Sequence, residues 1–197
     1  MGQYFVAICL KSNYKRTPKS PIIAAICPHD YDNGAKLMEH SYAGNNFVNA
    51  AMAMLNQNNG CRFVWCGDYD EDFKVPGGMV DKDGDEINSL YGLARNVIHK
   101  EKKNPSHIVY NEDTVFKYAV NHDKKEYVAI PAYNPTRYTI NPLPLLCANS
   151  NGLGGGDFCG NCEEMCGRWA YDHIEVTDKR PSKAYKSITK LCKFVER

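Results

Sequence analysis

Three cysteines stand close together in Cys159-Gly-Asn-Cys162-Glu-Glu-Met-Cys166. Thiolates at C-x2-C-x3-C spacing can converge on one tetrahedral ion such as zinc, because short turns bring alternate side chains onto one point. A fourth ligand is then required, and His173, Cys147 or Cys192 can supply it. A full zinc site usually presents two separated ligand pairs, and only one compact cluster is visible. Zinc held by Cys159, Cys162, Cys166 and His173 is therefore one reading, and a metal-free loop is the other. A dithiol redox role would need a thioredoxin-like strand–helix setting, which the flanking pattern lacks.

Directly upstream lies Asn151-Gly-Leu-Gly-Gly-Gly-Asp157. Without Cβ atoms, Gly154, Gly155 and Gly156 expose backbone amides that can form an anion-binding nest. Asp157, Arg168, Trp169 and Asp172 follow within reach, and His29 and Asp68 are further candidates for acid–base or metal work. Neither a P-loop ending in Gly-Lys-Ser/Thr nor a helix-opening G-x-G-x-x-G is present. Asp157 would also repel a phosphate, so a sharp structural turn is the competing reading.

Other polar clusters divide in the same way. His29 with Asp30 and Asp32 can orient an imidazole for base catalysis, or form a polar turn after a strand. Asp68, Asp70 and Asp72 can hold a divalent cation, or keep a loop soluble. Asp81-Lys-Asp-Gly-Asp85 echoes a calcium loop, but glycine falls at its fourth position and Gly92 at its twelfth, so it reads as a helix-capping turn with Asp85 as cap.

The chain of 197 residues fits a single domain able to bury a core without staples. Its net charge of +1 provides no global field for nucleic acid. That balance hides a basic tail: from Lys179 onward there are seven Lys and Arg against one acid, Glu196. Nine cysteines is an odd number. The apolar run from Tyr4 has no basic flank or cleavage pattern, Val6 stands where myristoylation expects Ser or Thr, and no stretch approaches a membrane span. These readings point to a protein in the cytoplasm with reduced thiols.

To position these residues the pattern predicts an α+β fold with antiparallel hairpins and about three helices. Tyr4–Leu10 and Ile22–Cys27 read as a hairpin with a long basic tip. Phe47, Val48, Ala51, Met52 and Leu55 recur at helical spacing after Asn45 or Asn46, and Arg62–Cys66 reads as a strand. A connector helix is expected over 86–103. A second hairpin, Val115–Asn121 with Glu126–Ile130, precedes a proline-rich loop or edge over Pro131–Pro144 and a strand over Trp169–Val176. A final amphipathic helix over 182–196 would present Lys183, Lys186, Lys190 and Lys193 as a partner-binding face. Halves 1–80 and 110–180 look like copies of one strand–strand–helix–strand unit, each ending in a strand with a Trp and an Asp.

Several segments carry a resemblance when taken as a set: the start Met-Gly-Gln-Tyr, Cys27-Pro-His-Asp-Tyr-Asp-Asn-Gly34, Lys36-Leu-Met-Glu39, Gly67-Asp68-Tyr69, Val120-Asn-His-Asp-Lys-Lys-Glu-Tyr127, the Asn151–Asp157 stretch and Gly167-Arg-Trp169. Up to about Asp178 the chain resembles a family of uncharacterised bacterial and phage proteins. The resemblance implies a phage or mobile-element setting in a bacterial host cell. It implies no activity and so transfers no catalytic residues. The basic insertion Lys11–Pro21 and the cysteines between Asp157 and Gly167 depart from the family pattern, which places any zinc in a local structural role.

Three functions are compatible with these features. The leading one is a non-enzymatic protein that binds a host protein or ribonucleoprotein complex, such as an inhibitor of a CRISPR effector. The second is an enzyme or sponge for a phosphorylated small molecule or nucleotide held by Gly154–Gly156. The third is a nucleic-acid-binding accessory protein acting through the basic tail.

Overall fold

All six residues of Phe5–Leu10 are apolar and all six are buried. A strand of that kind needs cover on both faces of its sheet, and the rest of the fold provides it. The computed structural model describes residues 3–13, 21–59, 61–70, 79–149, 158–160 and 162–196, and at 158–160, 162–163 and 195–196 it describes the backbone alone. Along these the order is β1 (Phe5–Leu10), β2 (Ile22–Ile26), a 3-10 turn (Pro28–Tyr31), α1 (Leu37–His40), α2 (Asn46–Gln57), β3 (Arg62–Gly67), α3 (Leu90–Lys102), β4 (Tyr118–Asn121), β5 (Glu126–Ala129), α4 (Pro142–Cys147), β6 (Ala148–Asn149), β7 (Phe158–Gly160), α5 (Cys162–Met165), β8 (Ile174–Thr177), β9 (Lys186–Ser187) and β10 (Phe194–Glu196). The fold is α+β. Among the described residues only α2 and α3 exceed two turns, with 12 and 13 residues.

The first sheet has the order β2-β1-β3-β6, and the second β8-β4-β5-β9. In each, a hairpin's first strand sits between its second strand and a later antiparallel one. The strand order thus repeats between the halves, and the connections do not. The first half returns through α2. The second returns through a loop, the short α4 and β6, which pairs parallel with β3 in the other sheet. The Trp–Asp correspondence also fails: Trp65 is within β3, whereas Trp169 lies in the turn ahead of β8.

The spacing within α2 suggests one buried stripe, yet Phe47 through Leu55 are buried without a break. A helix covered on every side must lie between layers. One cluster joins Phe5, Phe63 and Trp65 of the first sheet, Phe47, Met52 and Leu55 of α2, and Val128, Ile174 and Val176 of the second sheet. Ala50, Ala51 and Ala53 keep the helix slim enough to be enclosed. Asn45 caps it by accepting from Val48 N at 3.2 Å, as expected.

The opposite face of the first sheet, with Val6, Ile8 and Val64, packs on Leu90, Leu93 and Ile98 of α3. This connector helix starts at Leu90, four residues later than the predicted 86. Ser89 is its cap, accepting from Gly92 N at 3.1 Å. Asp85 does not cap it: Asp81 closes a separate turn by accepting from Asp83 N and Asp85 N at 2.8 and 3.0 Å.

The predicted C-terminal helix over 182–196 is absent. Lys186 and Ser187 pair instead with Glu126 and Tyr127 of β5, and Phe194–Glu196 pairs with β7. Ile188 N donates to Tyr127 O, and Thr189 Oγ1 accepts from Ala129 N. Without this segment the edge of β5 would have unpaired backbone groups, and satisfying them outweighs a helical pattern containing the weak helix formers Ser182, Ser187 and Thr189. Among the described residues no helix is long and apolar enough to cross a membrane.

A histidine is enclosed in the core. His40 is fully buried, with Nδ1 at 3.0 Å from Gly34 O and Nε2 at 2.9 Å from Trp65 Nε1. Indole nitrogen only donates, so Nε2 accepts and Nδ1 carries the proton, which makes the ring neutral. Burial lowers its pKa to about 4, against a weaker upward pull from the Gly34 carbonyl. Between pH 6.5 and 4 the unfolded chain therefore binds a proton that the native ring refuses, and stability falls on acidification. Urea unfolding should lose about 3 kcal/mol across that window from this group. His40→Gln should be less stable at pH 7 but should show a flatter slope there; an unchanged slope would assign the pH dependence elsewhere.

Candidate functional site

β3 and β6 run parallel and end side by side. At that end a buried carboxylate, Asp70, is only 4% exposed. It accepts from Tyr171 Oη at 2.7 Å, Asn149 Nδ2 at 2.7 Å and Cys66 Sγ at 3.3 Å. Asn149 also donates to Tyr171 Oη at 2.8 Å. Tyr171 has φ +67°, a rare conformation for a bulky residue. Hydrogen bonds hold it there: its amide donates to Phe63 O at 2.8 Å, and its carbonyl accepts from Arg62 Nη1 at 2.7 Å.

The electrostatics keep this cluster quiet. Burial, reinforced by the Asp70 charge, pushes the Cys66 thiol well above its ordinary value. Burial and the neighbouring Cys66 and Asp70 likewise hold the Tyr171 phenol protonated. Cys66 is thus a donor to Asp70 and a poor nucleophile. Asp68 lies at the same strand end but faces the ladder: its Oδ1 accepts from Tyr4 N at 3.1 Å, and its amide donates to Tyr4 O at 2.9 Å. Asp72 and Gly154, Gly155, Gly156 and Asp157 lie outside the described residues.

The remaining predicted site residues are dispersed. Arg168 and Trp169 belong together, both donating to the buried Glu126: Arg168 from Nε and Nη2 at 3.1 and 2.6 Å, and Trp169 from Nε1 at 3.0 Å. Burial opposes the Glu126 charge, yet these donors leave its carboxyl below the usual glutamate range. Asp172 accepts from Asn121 Nδ2 at 2.8 Å and pairs with Lys124. His29 is exposed on the 3-10 turn, whose Asp30 pairs with Lys102 of α3. Lys183, Lys186, Lys190 and Lys193 are exposed but share no helical face, since no helix forms there.

The metal reading is divided by the boundaries of the described chain. The side chains of Cys159 and Cys162 lie outside it, and Cys166 is half-buried against the core. His173 Nδ1 is 2.9 Å from Asp123 Oδ1, and Asp123 Oδ2 accepts from Arg62 Nη1 at 2.9 Å. Among the described residues no group of three or more His, Cys, Asp or Glu could hold a metal ion.

One surface was missed by motif reasoning. A cleft of about 480 Å3 opens between the turn after α1 and the loop ahead of α4, lined by Glu39, Tyr42, Gly44, Asn45, Tyr133, Asn134, Arg137 and Tyr138. Tyr138 is 88% exposed and Tyr133 is 65% exposed. The loop is nonetheless fixed: Ala43 N donates to Thr139 O, and Asn141 N to Ser41 O, both at 2.9 Å. Gly44 has φ +81°, and a Cβ there would come 2.4 Å from the Tyr133 ring, so the glycine lets that ring lie on the backbone. Tyr138 stands edge-on to Tyr42 at 5.4 Å between ring centroids. The signal available in sequence was Tyr133-Asn-Pro-Thr-Arg-Tyr138, a proline turn flanked by aromatic residues.

No protein family, curated protein or solved structure matches the chain.

The Asp70 cluster makes a stability ranking. Asp70→Ala removes the acceptor of three donors, Tyr171, Asn149 and Cys66, and should cost about 2–4 kcal/mol in urea unfolding, whereas Tyr171→Phe leaves Asp70 with Asn149 and Cys66 and should cost about 1–2 kcal/mol. The reverse order would mean that Asp70 is strained in this site rather than held by it.

Proposed function

We propose that the protein works by binding a host macromolecule without turning it over, inside a bacterial cell carrying a phage or mobile element. One contrast carries this reading. Among the described residues, Cys66, Asp70, His40 and Glu126 are buried, and together with the half-buried Tyr171 they are engaged in hydrogen bonds within the fold. Among the described residues the two most exposed aromatic side chains, Tyr138 and Tyr133, line one cleft with Arg137 on a fixed loop. Tyr and Arg are the residue types that concentrate binding energy at protein interfaces. The resemblance to phage proteins supports the concrete form, an inhibitor of a defence complex such as a CRISPR effector.

A second reading is favoured by the parallel pair β3–β6. Ligands of open α/β sheets bind beyond the carboxyl ends of parallel strands, and Gly154–Gly156 follow β6 within a few residues in the sequence. A phosphorylated small molecule or nucleotide held there would raise the melting temperature in a ligand panel.

The leading reading is tested by tagged capture from a host that carries defence effectors. One complex should be recovered reproducibly, and Tyr133→Ser with Tyr138→Ser should cut its recovery about tenfold, as expected for hot-spot residues. Targeted phage should also plate better on cells expressing the chain. Recovery of no specific complex, together with unchanged plating, would overturn the reading.

A further inference from the structure

We infer that the tyrosine cleft takes an extended, proline-containing peptide segment of the partner, an inference that rests on the binding reading above. The first argument is preorganisation. Tyr133 lies on Gly44, Tyr138 abuts Tyr42, and Asn134 closes the turn between them by accepting from Thr136 N and Thr136 Oγ1 at 2.9 and 2.8 Å. The rings are therefore exposed without being loose, and little ordering cost remains for binding.

The second argument is the polarity of what is left over. Among the described residues nothing partners the Arg137 guanidinium or the hydroxyls of Tyr133 and Tyr138. All three can donate, and guanidinium can only donate. Several neighbouring acceptors are engaged within the fold: Asn134 Oδ1 by Thr136, Asn45 Oδ1 by Val48 N, and one of the two Glu39 carboxylate oxygens, Oε2, by Lys36 N at 2.9 Å. An occupant must bring apolar faces for the rings and free acceptors for the donors. A polyproline II segment does both, because proline lacks an N–H and the conformation leaves its carbonyls unbonded. Aromatic-lined grooves are a recurring receptor for such segments.

The third argument is charge. Arg137 and Glu39 both line the cleft, and with one charge of each sign the lining has no net formal charge. Single-stranded nucleic acid would also offer stacking faces and acceptors. It brings a negative charge with every nucleotide, however, and its receptors are positively charged grooves.

The test uses the full chain and a pool of proline-rich dodecapeptides, with a proline-free pool and oligothymidine alongside. Binding is read by fluorescence anisotropy. The proline-rich pool should be retained, and the best peptide should lose about tenfold in affinity with Tyr138→Ser and with Arg137→Ala. Both side chains lie on the cleft lining, and circular dichroism checks that each variant keeps its fold. Retention no better than the proline-free pool, affinity indifferent to both substitutions, or preferential retention of oligothymidine would each overturn the inference. A host complex still captured by Tyr138→Ser would also overturn it while leaving the broader reading intact. Peptide binding with no host complex captured would support the cleft assignment and count against the broader reading.

Discussion

The architecture depends on a short backbone seam between the two sheets. Phe63 N donates to Asp172 O at 3.0 Å, Tyr171 N donates to Phe63 O at 2.8 Å, and Arg62 bridges to His173. The Arg62 guanidinium reinforces the seam by donating to the Tyr171 carbonyl and to Asp123, which in turn holds His173. These contacts fix the second sheet over α2. The helix can then be buried all round from Phe47 to Leu55, because it lies between layers of strands. They also place Tyr171 in its left-handed conformation, which carries the phenol to Asp70. The polar cluster at the end of β3 is therefore a consequence of how the sheets are joined.

Burial then sorts the chemistry. A buried polar group left unsatisfied destabilises the fold, and the buried ionisable groups at these positions meet that demand with partners: Asp70 with Tyr171 and Asn149, Glu126 with Arg168 and Trp169, His40 with Trp65. Such pairs specify the packing and take their members out of use as nucleophiles or bases. Surface display falls to the loop ahead of α4. It is pinned at both ends by backbone hydrogen bonds, and it carries aromatic rings that the core does not need.

Much of the fold was legible in the sequence. The two hairpins, the strand at Arg62, the cap at Asn45 and the connector helix all follow from local alternation, helical spacing and capping residues. Three misreadings share a cause: each was decided by a neighbour distant in sequence. Residues 182–196 have helical spacing but complete the edges of β5 and β7. Trp169 reads as a strand residue but turns inward to reach Glu126. The enclosure of α2 depends on β8, more than 100 residues later, so its sequence shows only a stripe. The candidate site was less legible still. Arg168 and Trp169 are adjacent in sequence, but nothing local ties them to Glu126, and Asn149 and Tyr171 carry no motif. The cleft is assembled from two loops distant in sequence that meet through the Tyr42–Ile140 bridge and the contacts of Tyr133 with Gly44 and Tyr138 with Tyr42.

The claim that the tyrosine cleft is the working surface is tested most directly by hydrogen–deuterium exchange of the full chain, free and saturated with its captured host complex. The account predicts slowed exchange at residues 42–45 and 133–138, the two segments that line the cleft, with the seam and the Asp70 cluster unchanged. Protection confined to the ends of β3 and β6, with the cleft exchanging as in the free chain, would contradict it.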